Sequence, residues 1–114
     1  DGRKGGGVAV FALDEHAPMV TEEGKSDLDE RLWVTMHTQQ GAFLVCTWHR
    51  PPGDAHCASI DRFAEELNAL RDTAMAVIVL GDLNVHNQHW LHYSSHTSIA
   101  GRQLAAIADQ LTLQ

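Results

Sequence analysis

Val77-Ile78-Val79-Leu80-Gly81-Asp82-Leu83-Asn84-Val85-His86 is the stretch on which the fold turns: four apolar residues run into a glycine, a carboxylate and, two positions later, a carboxamide. A short, continuously apolar run closed by a breaker predicts a strand buried on both faces, in the middle of a layered α/β core. Gly81 lets the backbone leave that core, and the two-residue period of an extended chain sends Asp82 and Asn84 to the same side. The strand end therefore offers an acceptor and a donor side by side on a rigid support. That pair is chemistry-capable, because a carboxylate can orient or deprotonate a water while an amide donates to a developing oxyanion.

The segments on either side fit an α/β chain. Residues 59–71 carry Ile60, Phe63, Leu67 and Leu70 at helical spacing, with Asp61, Arg62, Glu65 and Glu66 elsewhere on the wheel, so a helix is expected, capped by Ser59 or Asp54. Residues 31–37 and 42–48 are two β-rich runs about five residues apart with Gly41 between them, which predicts a hairpin. The second run meets His49-Arg50-Pro51-Pro52, where paired prolines stop a strand. A strand, a helix and then the 74–80 strand make a βαβ unit, right-handed in nearly all known cases. Residues 98–113 place Ile99, Leu104, Ile107 and Leu111 on one face of a further helix. Residues 8–13 read as a first strand after a glycine-rich lead, and the acidic stretch 14–30 reads as an exposed loop without periodicity. Lys4-Gly5-Gly6-Gly7 lacks the spacing and the Gly-Lys-Ser/Thr ending of a phosphate loop.

With 114 residues, 44% apolar and 20% charged, the chain is one domain at most, and no apolar run reaches the length of a membrane span. Cys46 and Cys57 suggest neither a disulfide framework nor a zinc ribbon, and these residues show no n-region followed by an apolar h-region, so an intracellular setting, nuclear or cytoplasmic, is expected. The first residue is not Met, and the chain looks like a piece of something longer. The net charge of −7 is concentrated: residues 14–30 hold seven acids against one base, leaving eight acids and seven bases elsewhere. The basic stripe that usually supplies non-specific nucleic-acid affinity is missing.

The order Gly5-Gly6-Gly7-Val8-Ala9, His49-Arg50-Pro51-Pro52, then Ile78-Val79-Leu80-Gly81-Asp82-Leu83-Asn84-Val85-His86 and Trp90, then Gly101-Arg102-Gln103-Leu104, resembles the endonuclease/exonuclease/phosphatase superfamily. It is most similar to the endonuclease domains of non-long-terminal-repeat retrotransposons. The resemblance implies a two-sheet α/β sandwich of the DNase I-like kind and hydrolysis of a phosphoester assisted by Mg²⁺ or Mn²⁺, with DNA as partner. Asp82 would orient or activate the attacking water, Asn84 would hydrogen-bond the phosphate, and His49, Arg50 and His86 would be further site residues. His49 stands where this family usually has a phosphate-contacting tyrosine, a group of different reach and pKa.

The family's amino-terminal Asn and metal-binding Glu would precede the glycine-rich stretch, and its Ser-Asp-His block would follow the last helix; neither lies in these 114 residues. A domain truncated at both ends is therefore expected over residues 1–114, weak or inactive alone, with no metal ligand assigned in this chain. Two alternatives remain open: a catalytically dead remnant that serves as a structural or partner-binding module, its exposed sheet edges covered by another chain, and a small-molecule phosphatase of the same superfamily.

Other readings of the same residues are weaker. Asp82, Asn84 and His86 lack the glycine and final glutamate of an EF-hand loop. His86, His89, His92 and His96 have a spacing that suits zinc, without a cysteine or carboxylate cluster beside them. Arg50 suits a phosphate or a carboxylate equally, and Trp33, Trp48 and Trp90 read most simply as core.

Overall fold

The structure is a computed structural model that describes residues 7–26, 28–51, 57–86, 88–89, 91 and 96–110. In chain order its elements are β1 (Val20–Ser26), β2 (Glu30–Thr38), β3 (Gly41–His49), α1 (Ala58–Leu70), β4 (Ala76–Asp82) and α2 (Ile99–Gln110). They form one four-stranded sheet in the order β1-β2-β3-β4, antiparallel through β3 and parallel between β3 and β4. The expected α/β class is found, but among the described residues there is one sheet and not two.

The β2–β3 hairpin closes through the two residues Gln39 and Gln40, tighter than the expected five. Every opposed pair is symmetric about that turn, from Thr38 opposite Gly41 to Glu30 opposite His49. α1 then returns the chain so that β4 lies parallel to β3, with Phe43 beside Ala76 and His49 beside Asp82. Its first turn is not capped as expected: the N-cap position falls to Cys57 at φ 56°, with no side-chain cap. Ser59 instead accepts from Arg50, and Asp54 lies outside the described residues.

Two expectations about strands fail. Residues 8–13 form no strand, and the first strand lies inside the acidic stretch, at Val20–Ser26. A bulge between Glu22 and Gly24 breaks its register with β2, so period-two alternation is interrupted in the sequence. Its charges suit an edge strand, where they discourage pairing with another chain. The second failure concerns β4, expected to be buried on both faces. Val77 and Val79 are half-buried toward the helices, whereas Ile78 and Leu80 are 40% and 56% exposed on the opposite face. The helices cover one side of the sheet, and among the described residues no second layer covers β4 on the other.

The core lies on the helix side. Phe63 of α1 is stacked between Trp33 (centroids 5.6 Å apart) and Trp48 (5.0 Å), with Leu44, Cys46, Ile60, Leu67 and Leu104 around them. Stacked aromatic pairs add about 0.5–1.5 kcal/mol each beyond area burial. Cys46 and Cys57 are both buried free thiols, and burial pushes the Cys46 thiol up to about 12. Arg31 enters this core as a charge. Its guanidinium lies 4.7 Å over the Trp48 ring and donates to Glu66, Asp29 and the Ser59 carbonyl. Glu66 also accepts from Trp33 Nε1 at 2.7 Å, whereas the buried Nε1 of Trp48 has no hydrogen-bond partner among the described residues.

Residues 10–17 lie toward the other side of the sheet. Between them and the β1–β2 half is a cavity of about 330 Å³ lined by Val10, Ala12, Ala17, Val20, Glu22, Leu32 and Val34. No helix of the described residues is long and apolar enough to cross a membrane.

Candidate active site at the ends of two parallel strands

In open α/β sheets, ligands bind outside the carboxyl ends of parallel strands, because the loops leaving those ends splay apart and carry polar groups on a rigid base. Here β3 and β4 are the parallel pair, and their ends bring His49 and Asp82 into direct register. β4 runs two residues past the apolar stretch, through Gly81, which only glycine can occupy. Its φ is +137°, and a Cβ there would stand 1.9 Å from the Trp48 carbonyl oxygen. The close approach of the two strand ends therefore depends on that missing side chain.

The loop after Asp82 is clasped by a reciprocal arrangement. The Arg50 backbone N–H donates to the Asp82 carbonyl at 2.8 Å, and Asn84 Nδ2 donates to the Arg50 carbonyl at 2.6 Å. The Arg50 side chain, 3% exposed as a residue, donates from Nη1 to the Leu83 and Asn84 carbonyls, both at 3.3 Å, and from Nε to Ser59 Oγ at 3.2 Å. Arg50 is thus a loop clamp, and its burial keeps Nε and Nη1 on a hydroxyl and two backbone carbonyls. Asn84 has φ 48°, a left-handed conformation that Asn tolerates better than most residues. Its backbone N–H donates to Asp82 Oδ1 at 3.2 Å, an Asx turn that orients the carboxylate.

The consequence for chemistry is specific. Asp82 is exposed, with Oδ1 held by the turn and Oδ2 without a hydrogen-bond partner among the described residues. Asn84 has committed one N–H to the clasp, which leaves the other for a ligand. His49 lies between two carboxylates across the sheet, Glu30 on β2 and Asp82 on β4, and its Nδ1 contacts Glu30 Oε2.

His86 goes elsewhere. Its backbone N–H donates to Ser98 Oγ at 3.1 Å, its carbonyl accepts from the Ser98 N–H at 2.8 Å, and its ring stacks on His96 with centroids 4.2 Å apart. Ser98 Oγ also accepts from the Gly101 N–H at 3.0 Å, capping α2. A Cβ at Gly101 would stand 1.9 Å from the His86 carbonyl oxygen, so that close packing also needs glycine. No hydrogen bond joins His86 to His49, Asp82 or Asn84 among the described residues. His92 and Trp90 lie outside those residues.

Among the described residues no three His, Cys, Asp or Glu side chains are grouped to hold a metal ion. The described residues at this sheet end therefore do not fit a divalent ion by themselves.

One functional candidate escaped the sequence reading. Glu30 is one of seven acids in the stretch 14–30, and only the two-residue hairpin turn brings it opposite His49. No family model matches the chain, and neither a curated protein nor a solved structure is significantly similar to it.

Proposed function

We propose that this chain is part of a phosphoester hydrolase, in the manner of the DNA-nicking endonucleases that its motifs resemble. The observation that supports this most is the clasped loop at the paired strand ends: it keeps Asp82 exposed with one carboxylate oxygen open, beside His49 and one uncommitted N–H of Asn84. In this reading Asp82 Oδ2 accepts a hydrogen bond from the attacking water and turns its lone pair toward phosphorus, while Asn84 donates to a phosphoryl oxygen. His49 makes a further phosphate contact where the family carries a tyrosine. The Mg²⁺ or Mn²⁺ implied by the resemblance would draw its ligands from outside the described residues.

The same reading proposes a second sheet. Met36, Ile78 and Leu80 are each at least 38% exposed on the face away from the helices, and a sandwich would pack its other sheet there. That apolar face also favours the second reading, a partner-binding module without catalysis. The two separate in one assay: relaxation of supercoiled plasmid with Mg²⁺ or Mn²⁺ by this chain and by Asp82→Ala. Nicking that falls about 10²-fold or more in the variant is expected of the hydrolase. Equal nicking by both proteins contradicts a role for Asp82, and hydrolysis of a small phosphomonoester in preference to DNA selects a phosphatase.

A further inference from the structure

We propose that Glu30 is the positioning residue of His49, and that the pair presents His49 Nε2 as the single working nitrogen at the candidate site. This rests on the phosphoester reading only for what Nε2 would meet; the pair itself rests on contacts within the sheet.

Glu30 opens β2 and His49 ends β3, and the two are directly opposed, so their side chains rise from the same face at a cross-strand spacing of about 4.5–5.5 Å between Cβ atoms. His49 Nδ1 contacts Glu30 Oε2. An ionised carboxylate can only accept, so the proton of that hydrogen bond sits on Nδ1 whether the ring is neutral or charged. The Glu30 side chain is 8% exposed and that of His49 is 42% exposed, so the carboxylate is the sheltered partner and the imidazole the open one. Nothing else among the described residues bonds the His49 ring. With Nδ1 held, Nε2 is left to exchange protons with solvent or to hydrogen-bond a ligand. Asp82, the next residue along the same row on β4, is the carboxylate nearest in register.

A carboxylate that holds one imidazole nitrogen fixes both the tautomer and the plane of the ring, which is how a histidine is kept ready for proton transfer at its other nitrogen. The row Glu30, His49, Asp82 therefore does more than add acidity to the sheet end. In the phosphoester reading, Nε2 is the atom of His49 that contacts the phosphate.

Long-range nitrogen–proton correlation spectra of the ¹⁵N-labelled chain test this directly, because they distinguish the two tautomers of each neutral histidine. His49 is expected as the Nδ1–H tautomer, and Glu30→Ala is expected to move it toward Nε2–H. A wild-type His49 in the Nε2–H form overturns the proposal and leaves the phosphoester reading standing. An Nδ1–H His49 in a chain without Asp82-dependent phosphoester chemistry does the reverse: the pair stands and the hydrolase reading falls. The wild-type spectrum decides even if Glu30→Ala folds poorly. In a preparation that hydrolyses phosphoesters, Glu30→Ala should lower kcat about 10-fold or more with KM little changed, since a misplaced ring costs chemistry before it costs binding.

Discussion

Asp29 shows how individual residues in this chain keep charge inside. It accepts from Arg62 Nε and Nη2, both at 2.6 Å, and from Arg31 Nη2 at 3.1 Å, while Arg31 is held again by Glu66. Burying an unpaired ion would cost several kcal/mol, but a pair whose hydrogen bonds are made can remain in place. The Arg62 hydrogen bond above all holds the Asp29 carboxyl below its ordinary value of 3.8, against burial, which pushes it up; Arg31 assists. A carboxylate with a lowered folded pKa stabilises the fold above its unfolded value, and that stabilisation is lost as pH falls from there through the folded value. Chemical denaturation should therefore show stability dropping below about pH 3.8. Asp29→Asn is expected to be less stable at pH 7 by about 1–3 kcal/mol and to lose part of that acid-limb dependence.

Elements show where the sequence could be read and where it could not. β3, α1 and β4 lie within two residues of their expected positions, because a β-rich run, a helical apolar spacing and a breaker each leave a local signal. β1 leaves none: a charged edge strand with a bulge has neither apolar alternation nor a buried face to enforce it. The site was half legible for the same reason. Asp82 and Asn84 share one short stretch, so their neighbourhood could be read locally, whereas Glu30 and Arg50 take their roles from pairings 19 and 34 residues away in the chain. β4 also carries a requirement that composition does not express. Gly81→Ala should destabilise the chain by more than about 1 kcal/mol, since its Cβ would meet the Trp48 carbonyl and its φ is unfavourable for alanine. Thermal unfolding followed by circular dichroism measures that loss, and an unchanged midpoint would mean that the two strand ends are not so close.

Taken together, the described residues make one helical layer and one sheet, with one face of that sheet left largely open. The helix side holds the stacked aromatics and the buried ion cluster, while the opposite face keeps Met36, Ile78 and Leu80 in reach of solvent. An apolar sequence run alone could not separate a strand buried on both faces from one buried on a single face, since both are written with the same residues. The candidate site lies at the edge of these two faces, where β3 and β4 finish together. Titration of the ¹⁵N-labelled chain with inorganic phosphate, and then with a short DNA duplex, followed by backbone amide shifts, shows whether a phosphoester is held where β3 and β4 end. The largest changes are expected at His49, Arg50 and residues 82–84, and they should shrink in Asn84→Ala, which removes the donor to a phosphoryl oxygen. Changes confined to the acidic β1 edge or the open apolar face, or none at the strand ends with either ligand, would contradict the proposed site.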